Sequence, residues 1–211
     1  MKITKLGHCC LVVEENGARI MTDPGAWSTL QHEERGIDYI FITHEHQDHF
    51  HIESLKTVLK NNPKAKAVTN RSVGKLLDAE KISYELLEHG GVAEFGSVQV
   101  EGHGDKHAVI YEKFGQVQNT GYFFANRFFY PGDAFFNPNK PVEILALPVC
   151  GPWMNISEAI DYAKLLKPKV VFPVHDGMLK ILGPFHGVPQ KILSEAGIDF
   201  RSITPPTTLN F

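Results

Sequence analysis

The chain has 211 residues, 43% of them hydrophobic and 21% charged, and its formal net charge is −3. A chain of this length can bury a substantial core, and no Pro-, Gly- or Ser-rich linker divides it, so we expect a single domain over residues 1–211. The slight negative charge argues against a nucleic-acid-binding protein, because binding to a phosphate backbone needs a basic surface. No apolar run approaches the ~20 residues of a membrane span.

The cysteines and the first residues of the chain bear on where the protein works. Three cysteines, with Cys9 and Cys10 adjacent, are a poor disulfide framework and favour a reducing compartment. The apolar run within residues 1–11 is interrupted, and no small-residue cleavage pattern follows it, which differs from a signal peptide. We therefore expect a cytoplasmic protein and leave its homo-oligomerisation open.

The chain begins with three predicted strands, at residues 2–6, 10–14 and 18–21. Asn16-Gly17 favours a tight hairpin turn between the second and the third of them. His8, in the link between the first two strands, either borders an active site or fills a loop. Asp23 follows the third strand and begins the turn Asp-Pro-Gly. Its carboxylate either caps that turn or accepts the free N–H of a metal-bound histidine.

The densest group of metal-ligand side chains is THEHQDHF at residues 43–50. It follows the apolar run YIFIT at residues 39–43, which predicts a short buried strand, and helical spacing follows over residues 51–60. An exposed histidine-rich loop is the alternative interpretation. The strand before the group and the helix after it favour a metal site built at a strand end.

The spacing inside this group indicates two metal ions. Imidazole and carboxylate groups bind divalent first-row metals. His44 and His46 lie two apart on extended chain, so their side chains project to the same side and can converge on one ion. Asp48 and His49 continue onto the next turn, where they can reach a second ion.

The order H-x-H-x-D-H after a hydrophobic strand resembles the metallo-β-lactamase superfamily of metal-dependent hydrolases. Other motifs of the superfamily occur in the expected order along the chain, namely TDPG at residues 22–25, His107, PGD at residues 131–133 and PVHD at residues 173–176. The resemblance implies an α/β fold, a four-layer αββα sandwich built from two similar halves. Within the superfamily, the sequence is most similar to the small branch of L-ascorbate-6-phosphate lactonase-like and N-acylphosphatidylethanolamine phospholipase D-like proteins.

His103 and His107 compete for the role of third histidine ligand, because either imidazole satisfies the ligand chemistry. Both lie in GHGDKHAVI at residues 102–110. The resemblance favours His107, since H-A-V-I is similar to the third-ligand segment of the branch. His103 is then left with a supporting or pocket role.

Asp133 is the residue expected between the two ions. Predicted strands at residues 121–125 and 127–130 lead to Pro131-Gly132-Asp133. Glycine lets the backbone approach closely, and the carboxylate has two oxygens with which to bridge two cations. An aspartate that only caps its turn is the alternative.

A predicted helix capped at Asn155 or Ser157 is followed by a predicted buried strand over residues 169–174. The last predicted ligand, His175, lies at the end of this strand. Asp176 either orients His175 or caps the next helix. After that helix we expect a short strand near residues 200–203 and a frayed tail.

The resemblance implies a metal-dependent hydrolase with two divalent ions, zinc being favoured and manganese or iron being alternatives. A hydroxide generated between the ions near neutral pH would be the nucleophile. Asp48 would also guide a proton to the leaving group. The substrate class is a small ester, lactone or phosphodiester. The implied ligands are His44, His46 and His107 for one ion, Asp48, His49 and His175 for the other, and Asp133 between them.

Two other functions are open. A non-enzymatic metal-binding or sensor protein of this fold would generally lack part of the ligand set, which is complete here. A nuclease would need a basic groove. Hydrolysis of β-lactam drugs is disfavoured. Class B β-lactamases do not usually have both a final histidine in this motif and a bridging aspartate, whereas this chain has His49 and Asp133. The candidates for an apolar opening to the site are Trp27, Phe135, Phe136 and Trp153, although aromatic residues are more often core.

Overall fold

The computed structural model describes residues 1–114 and 116–211. Within these residues the chain forms fourteen β-strands and four α-helices. The strands are β1 Lys2–Lys5, β2 Leu11–Glu15, β3 Ala18–Thr22, β4 Tyr39–Phe41, β5 Lys66–Thr69, β6 Tyr84–Leu86, β7 Val92–Phe95, β8 Val98–His103, β9 Gly121–Phe124, β10 Phe128–Tyr130, β11 Ile144–Pro148, β12 Val170–Val174, β13 Asp199–Phe200 and β14 Thr207–Asn210. The helices are α1 Ile52–Asn61, α2 Arg71–Ala79, α3 Ile156–Leu166 and α4 Gly183–Glu195.

The strands of the described residues form two sheets of seven. The spatial order is β14-β1-β2-β3-β4-β5-β6 in the first sheet and β13-β12-β11-β10-β9-β8-β7 in the second. In each sheet a run of antiparallel strands gives way to a parallel run, beginning with the pair β3 and β4 in the first sheet and the pair β10 and β11 in the second. This repeated arrangement agrees with the two similar halves that the resemblance implies.

Three clusters of buried apolar side chains separate the layers. The central cluster lies between the sheets and joins side chains such as Ile20 of the first sheet to Phe124 of the second. The other face of the first sheet packs against α1 and α2, for example through Leu55. The other face of the second sheet packs against α3 and α4, for example through Ile160. The order helix, sheet, sheet, helix confirms the predicted αββα sandwich.

Local sequence signals set the ends of the helices. The His51 side chain caps α1 by accepting the Ser54 N–H, and Asn155 forms a reciprocal capping box with Glu158 at the start of α3. Pro168 follows the end of α3 and prevents its continuation. Among the described residues, no helix has the length and apolar character needed to cross a membrane.

Two strands, β6 and β14, carry no local sequence signal. β6 is short and largely exposed, so it carries no alternating hydrophobic pattern. The frayed tail predicted for the end of the chain is wrong, because β14 pairs antiparallel with β1 and places Asn210 opposite Lys2. This pairing joins the two ends of the chain, and no local sequence pattern signals a partner that distant.

Candidate metal centre

The candidate metal centre lies where strands of both sheets end. Residues 43–50 come just after β4, Asp133 follows β10 and His175 follows β12 directly. His107 comes from the long connection between β8 and β9. Backbone hydrogen bonds tie this connection to the centre, since the Ala108 N–H donates to the carbonyl of Asp133 at 2.8 Å. Parallel strands present their carboxyl ends at one edge of a sheet, which is why these distant segments meet.

The structure brings all seven predicted ligand residues together in two groups. In each group the candidate ligand atoms lie within 4.8 Å of one another. The first group is His44, His46 and His107, and the second is Asp48, His49, Asp133 and His175. A third group with the same property shares His49 and His175 with the second and adds His8 and Cys9.

Asp133 stands between the two groups. Its Oδ1 lies 3.0 Å from His49 Nε2, and its Oδ2 lies 2.9 Å from His175 Nε2. On the other side, Oδ2 lies 3.3 Å from His107 Nε2 and 4.0 Å from His44 Nε2. One carboxylate therefore faces histidines of both groups, which is the placement expected of a bridging ligand.

The donor atoms of the centre fit bound cations. Six buried ring-nitrogen and carboxylate atoms make no hydrogen bond with any described residue. Buried polar atoms are almost always partnered, so a concentration of exceptions at one place calls for a ligand. A set of imidazoles around a carboxylate matches zinc and similar divalent metals. The atoms are Nε2 of His44, His49 and His107, Oδ1 of Asp133, and both ring nitrogens of His175.

Burial and the Asp133 carboxylate determine the charges in the centre. Burial lowers the pKa of His44 well below its ordinary value and also lowers the pKa of His46, so both rings are neutral near pH 7. Burial acts to raise the pKa of Asp133, but His175 and His49 hold that pKa well below the usual range. Burial acts to lower the pKa of His49 and His175, but Asp133 raises it well above the ordinary value, so these two rings would release a proton when a metal binds.

Asp23 supports the centre from behind, which decides between the two interpretations of this residue. Its Oδ2 lies 2.7 Å from His49 Nδ1, and it accepts hydrogen bonds from the Tyr130 hydroxyl at 2.6 Å and the Thr43 hydroxyl at 2.8 Å. The Thr43 hydroxyl in turn lies 2.9 Å from His44 Nδ1 and accepts its N–H. Both imidazoles therefore carry their proton on Nδ1 and direct Nε2 into the centre.

An Asp23→Asn variant is expected to weaken metal binding by about 10–100-fold, because the amide is a poorer acceptor for the His49 N–H. Competition with a chromophoric chelator measures this affinity. Asp38→Asn is the matched control, since Asp38 is exposed and accepts a backbone N–H from Arg19 near the surface. Equal affinities in the two variants would contradict the orienting role of Asp23.

Trp153 belongs to the centre through its indole N–H, which donates to Asp133 Oδ2 at 2.8 Å. It also lines a cleft of about 130 Å³ above the ligand residues, together with Trp27, Ile110, Pro152 and Met178. The prediction that Phe135 and Phe136 line the opening is not supported, because both pack against the cluster beneath the second sheet. The apolar wall of the cleft thus comes from Trp27, Ile110, Pro152, Trp153 and Met178.

His103 and His8 are outside the predicted ligand set, and only His8 borders the centre. His103 Nε2 lies 3.1 Å from Glu101 Oε2, and His103 is in none of the candidate metal groups of the described residues, so the structure favours His107 over it. His8 borders the centre, fully buried, with its ring centroid 4.2 Å from that of His175.

Asp176 has neither of the roles predicted for it. Its two oxygens accept hydrogen bonds from Lys5 Nζ at 2.7 Å, and Oδ2 lies 2.9 Å from His186 Nε2. It does not cap the following helix, because α4 begins only at Gly183. The buried pair of Lys5 and Asp176 instead anchors the chain next to His175, whose φ of 60° is in the left-handed region.

Sequence patterns alone do not predict the supporting roles of Lys5 and Tyr130. A usable signal exists for Lys5, since side chains two apart on a strand share a face and Ile3 belongs to the central core. Tyr130 follows the same rule on β10, where it lies on the face of Phe128. Neither pattern indicates which polar group the buried side chain meets.

Comparison with known proteins identifies the family. A model of the family described as the Beta-lactamase superfamily domain matches residues 2–175. The chain belongs to the metallo-β-lactamase superfamily. Protein Rv0786c of Mycobacterium tuberculosis is 31% identical over 216 residues, which cover 100% of this chain and 95% of that protein. A UPF0173 metal-dependent hydrolase of Carboxydothermus hydrogenoformans is 24% identical over 226 residues, covering 97% of each chain.

A solved structure carries the same architecture. The metallo-β-lactamase fold protein YhfI of Bacillus subtilis matches with a TM-score of 0.76 at 10% identity, over 99% of this chain and 98% of that one. The family match confirms the superfamily predicted from the sequence, and this structural likeness confirms the fold. Relatives named as metal-dependent hydrolases agree with the predicted enzyme class, and the narrower lactonase-like branch stays a prediction.

Proposed function

We propose that this metallo-β-lactamase superfamily member is a hydrolase that uses two divalent metal ions on a small ester, lactone or phosphodiester. The observation that carries the proposal is the pair of ligand groups with the Asp133 carboxylate between them, six of whose buried ligand atoms have no hydrogen-bond partner among the described residues. Zinc suits a set of five histidines and two aspartates best, and manganese or iron is the alternative.

The residues divide between two ion subsites. His44, His46 and His107 would hold the first ion, and Asp48, His49 and His175 would hold the second. Asp133 would serve both, because its carboxylate faces histidines of each group. When bound, the ions supply a lowered pKa for water, from about 15.7 toward 7, and positive charge for the electrophilic oxygen of the substrate. A serine or cysteine nucleophile is then unnecessary.

The protein side chains orient the reaction and transfer its proton. Asp48 is the least enclosed carboxylate of the centre, with 13% of its side chain exposed toward the cleft. It is therefore the group that holds a proton released from water and passes it to the leaving group. The Trp153 N–H keeps Asp133 turned toward both groups, because it occupies one lone pair of Oδ2.

The cleft favours a substrate that carries an apolar group beside its reacting bond. Trp27 and Met178 form part of the wall and are 49% and 40% exposed, so they are available for contact. No strongly basic surface follows from a net charge of −3, which disfavours the nuclease alternative. A non-catalytic sensor does not need a water-accessible carboxylate in its metal centre, and this favours the enzyme.

A matched pair of histidine variants tests the proposal. The metal-loaded protein is assayed against esters, lactones and phosphodiesters, before and after chelation. We expect at least one class to be hydrolysed only by the loaded protein, and kcat/KM to fall by about 100-fold or more in His107→Ala, because a ligand of the first subsite is lost. His103→Ala is the control and is expected to keep its activity.

Two results would contradict the proposal. One is hydrolysis that survives complete removal of metal. The other is a protein that holds two ions and hydrolyses none of the three classes, which would favour the metal-binding or sensor alternative.

A further inference from the structure

His8 is locked in one orientation beside the centre. The Gly177 N–H donates to its Nδ1 at 2.9 Å, and the His8 N–H donates to Ser28 Oγ at 3.0 Å. The ring packs between Trp27 and His175, with centroid distances of 4.9 and 4.2 Å. A neutral imidazole has one donor and one acceptor nitrogen, so the bond from Gly177 assigns the proton to Nε2.

The Nε2–H of His8 has one partner in the described part of the chain. Asp48 Oδ2 lies 3.2 Å away, and it accepts this hydrogen. The same oxygen lies 3.3 Å from His175 Nε2 and 3.8 Å from His49 Nε2. Without His8, the partly exposed Asp48 side chain would be free to turn into the cleft.

The contact between His8 and Gly177 requires glycine at that residue. A Cβ on Gly177 would lie 2.8 Å from the Cβ of His8. The backbone of His8 has its own role, because its carbonyl accepts the N–H of His175 at 3.0 Å, and His175 has left-handed backbone. The backbone of His8 thus holds His175, while its ring contacts Asp48.

We propose that His8 is a positioning residue of the second subsite, which acts by donating Nε2–H to Asp48 and thereby holding this carboxylate toward His49 and His175. This role rests on the proposed two-metal function. His8 is not a ligand in this account, because its Nδ1 is occupied by Gly177 and its Nε2 carries the proton.

Two substitutions separate the two hydrogen bonds of the ring. In His8→Gln the amide nitrogen reaches about as far as Nε2, so the donor to Asp48 is kept and the acceptor for Gly177 is lost. In His8→Asn the amide oxygen lies near the place of Nδ1, so the acceptor is kept and the donor is lost. The readout is Co²⁺ titration of the metal-free full-length protein, followed by visible absorption of the first and second equivalents.

We expect His8→Asn to weaken binding of one of the two Co²⁺ equivalents, the one held by Asp48, His49 and His175, by about 10–100-fold, and His8→Gln to stay within about threefold of the unmodified protein. The other equivalent, held by His44, His46 and His107, which His8 does not touch, is expected to bind normally in both variants. Similar losses in the two variants, losses at both equivalents, or no loss in either would overturn the positioning role.

The unmodified protein reports separately on the proposed function. If it takes up two equivalents and only the pattern among variants fails, the role of His8 is wrong and the two-metal centre stands. If it takes up fewer than two, the proposed two-metal centre is wrong, and the role of His8 is overturned with it.

Discussion

Asp133→Ala is expected to abolish turnover and to reduce bound metal from about two equivalents to one or fewer, since a single carboxylate faces the histidines of both groups. The loss in kcat/KM should reach about 10³-fold or more, corresponding to about 4 kcal/mol of transition-state stabilisation. Steady-state kinetics and elemental analysis of the same preparation measure the two effects together.

The control for this variant is Asp161→Ala, which removes an exposed carboxylate on α3. It is expected to retain metal and activity. Full activity in Asp133→Ala would contradict the two-metal account, whereas loss of activity with two ions still bound would assign Asp133 a role other than bridging.

Lys5→Met should destabilise the protein by about 3–5 kcal/mol, because it leaves the Asp176 carboxylate buried without its cation. Both side chains are almost completely buried, with exposures of 0% and 4%. Urea unfolding in excess chelator measures the difference, since bound metal would otherwise add its own stabilisation. The expected effect is large because a broken buried pair costs far more than a broken surface pair.

Lys2→Met is the matched control for Lys5→Met, since Lys2 lies on the same strand and pairs with Glu14 at 2.8 Å in an exposed setting. We expect it to change stability by about 0–1 kcal/mol. Equal losses of unfolding free energy in Lys5→Met and Lys2→Met would contradict the larger contribution assigned to the buried pair.

The effect of Lys5→Met should shrink as the pH falls. Burial acts to raise the pKa of Asp176, but its bonds to His186 and Lys5 hold that pKa below the usual range. A carboxylate with a lowered folded-state pKa contributes stability above its unfolded pKa of about 3.9, and the contribution is lost as pH drops through the folded value. The gap between the unmodified protein and the variant is therefore largest near neutral pH.

Much of the centre is readable from the sequence because its parts are short and local. H-x-H-x-D-H follows a buried strand, and Asp133 and His175 also follow strands, so each residue type and each location were predictable. The choice between His103 and His107 rested on resemblance, because both lie in one polar segment. The structure decides this choice, because a backbone hydrogen bond from Ala108 to Asp133 ties the segment to the centre next to His107.

What the sequence leaves open is contact between distant segments. Capping of a turn and support of a metal ligand explain an aspartate at position 23 equally well from sequence. Only the contact of its carboxylate with His49 decides between these two roles. Asp176 was expected to serve its neighbours in sequence, but its partner Lys5 lies 171 residues away. β14 likewise needs β1, at the other end of the chain, before it can form a strand.

The metal content of protein purified without chelator tests the central claim most directly. Elemental mass spectrometry is expected to find about two equivalents of zinc, manganese or iron per chain, or to find them after reconstitution. A protein that holds no metal and cannot be reconstituted would contradict the account.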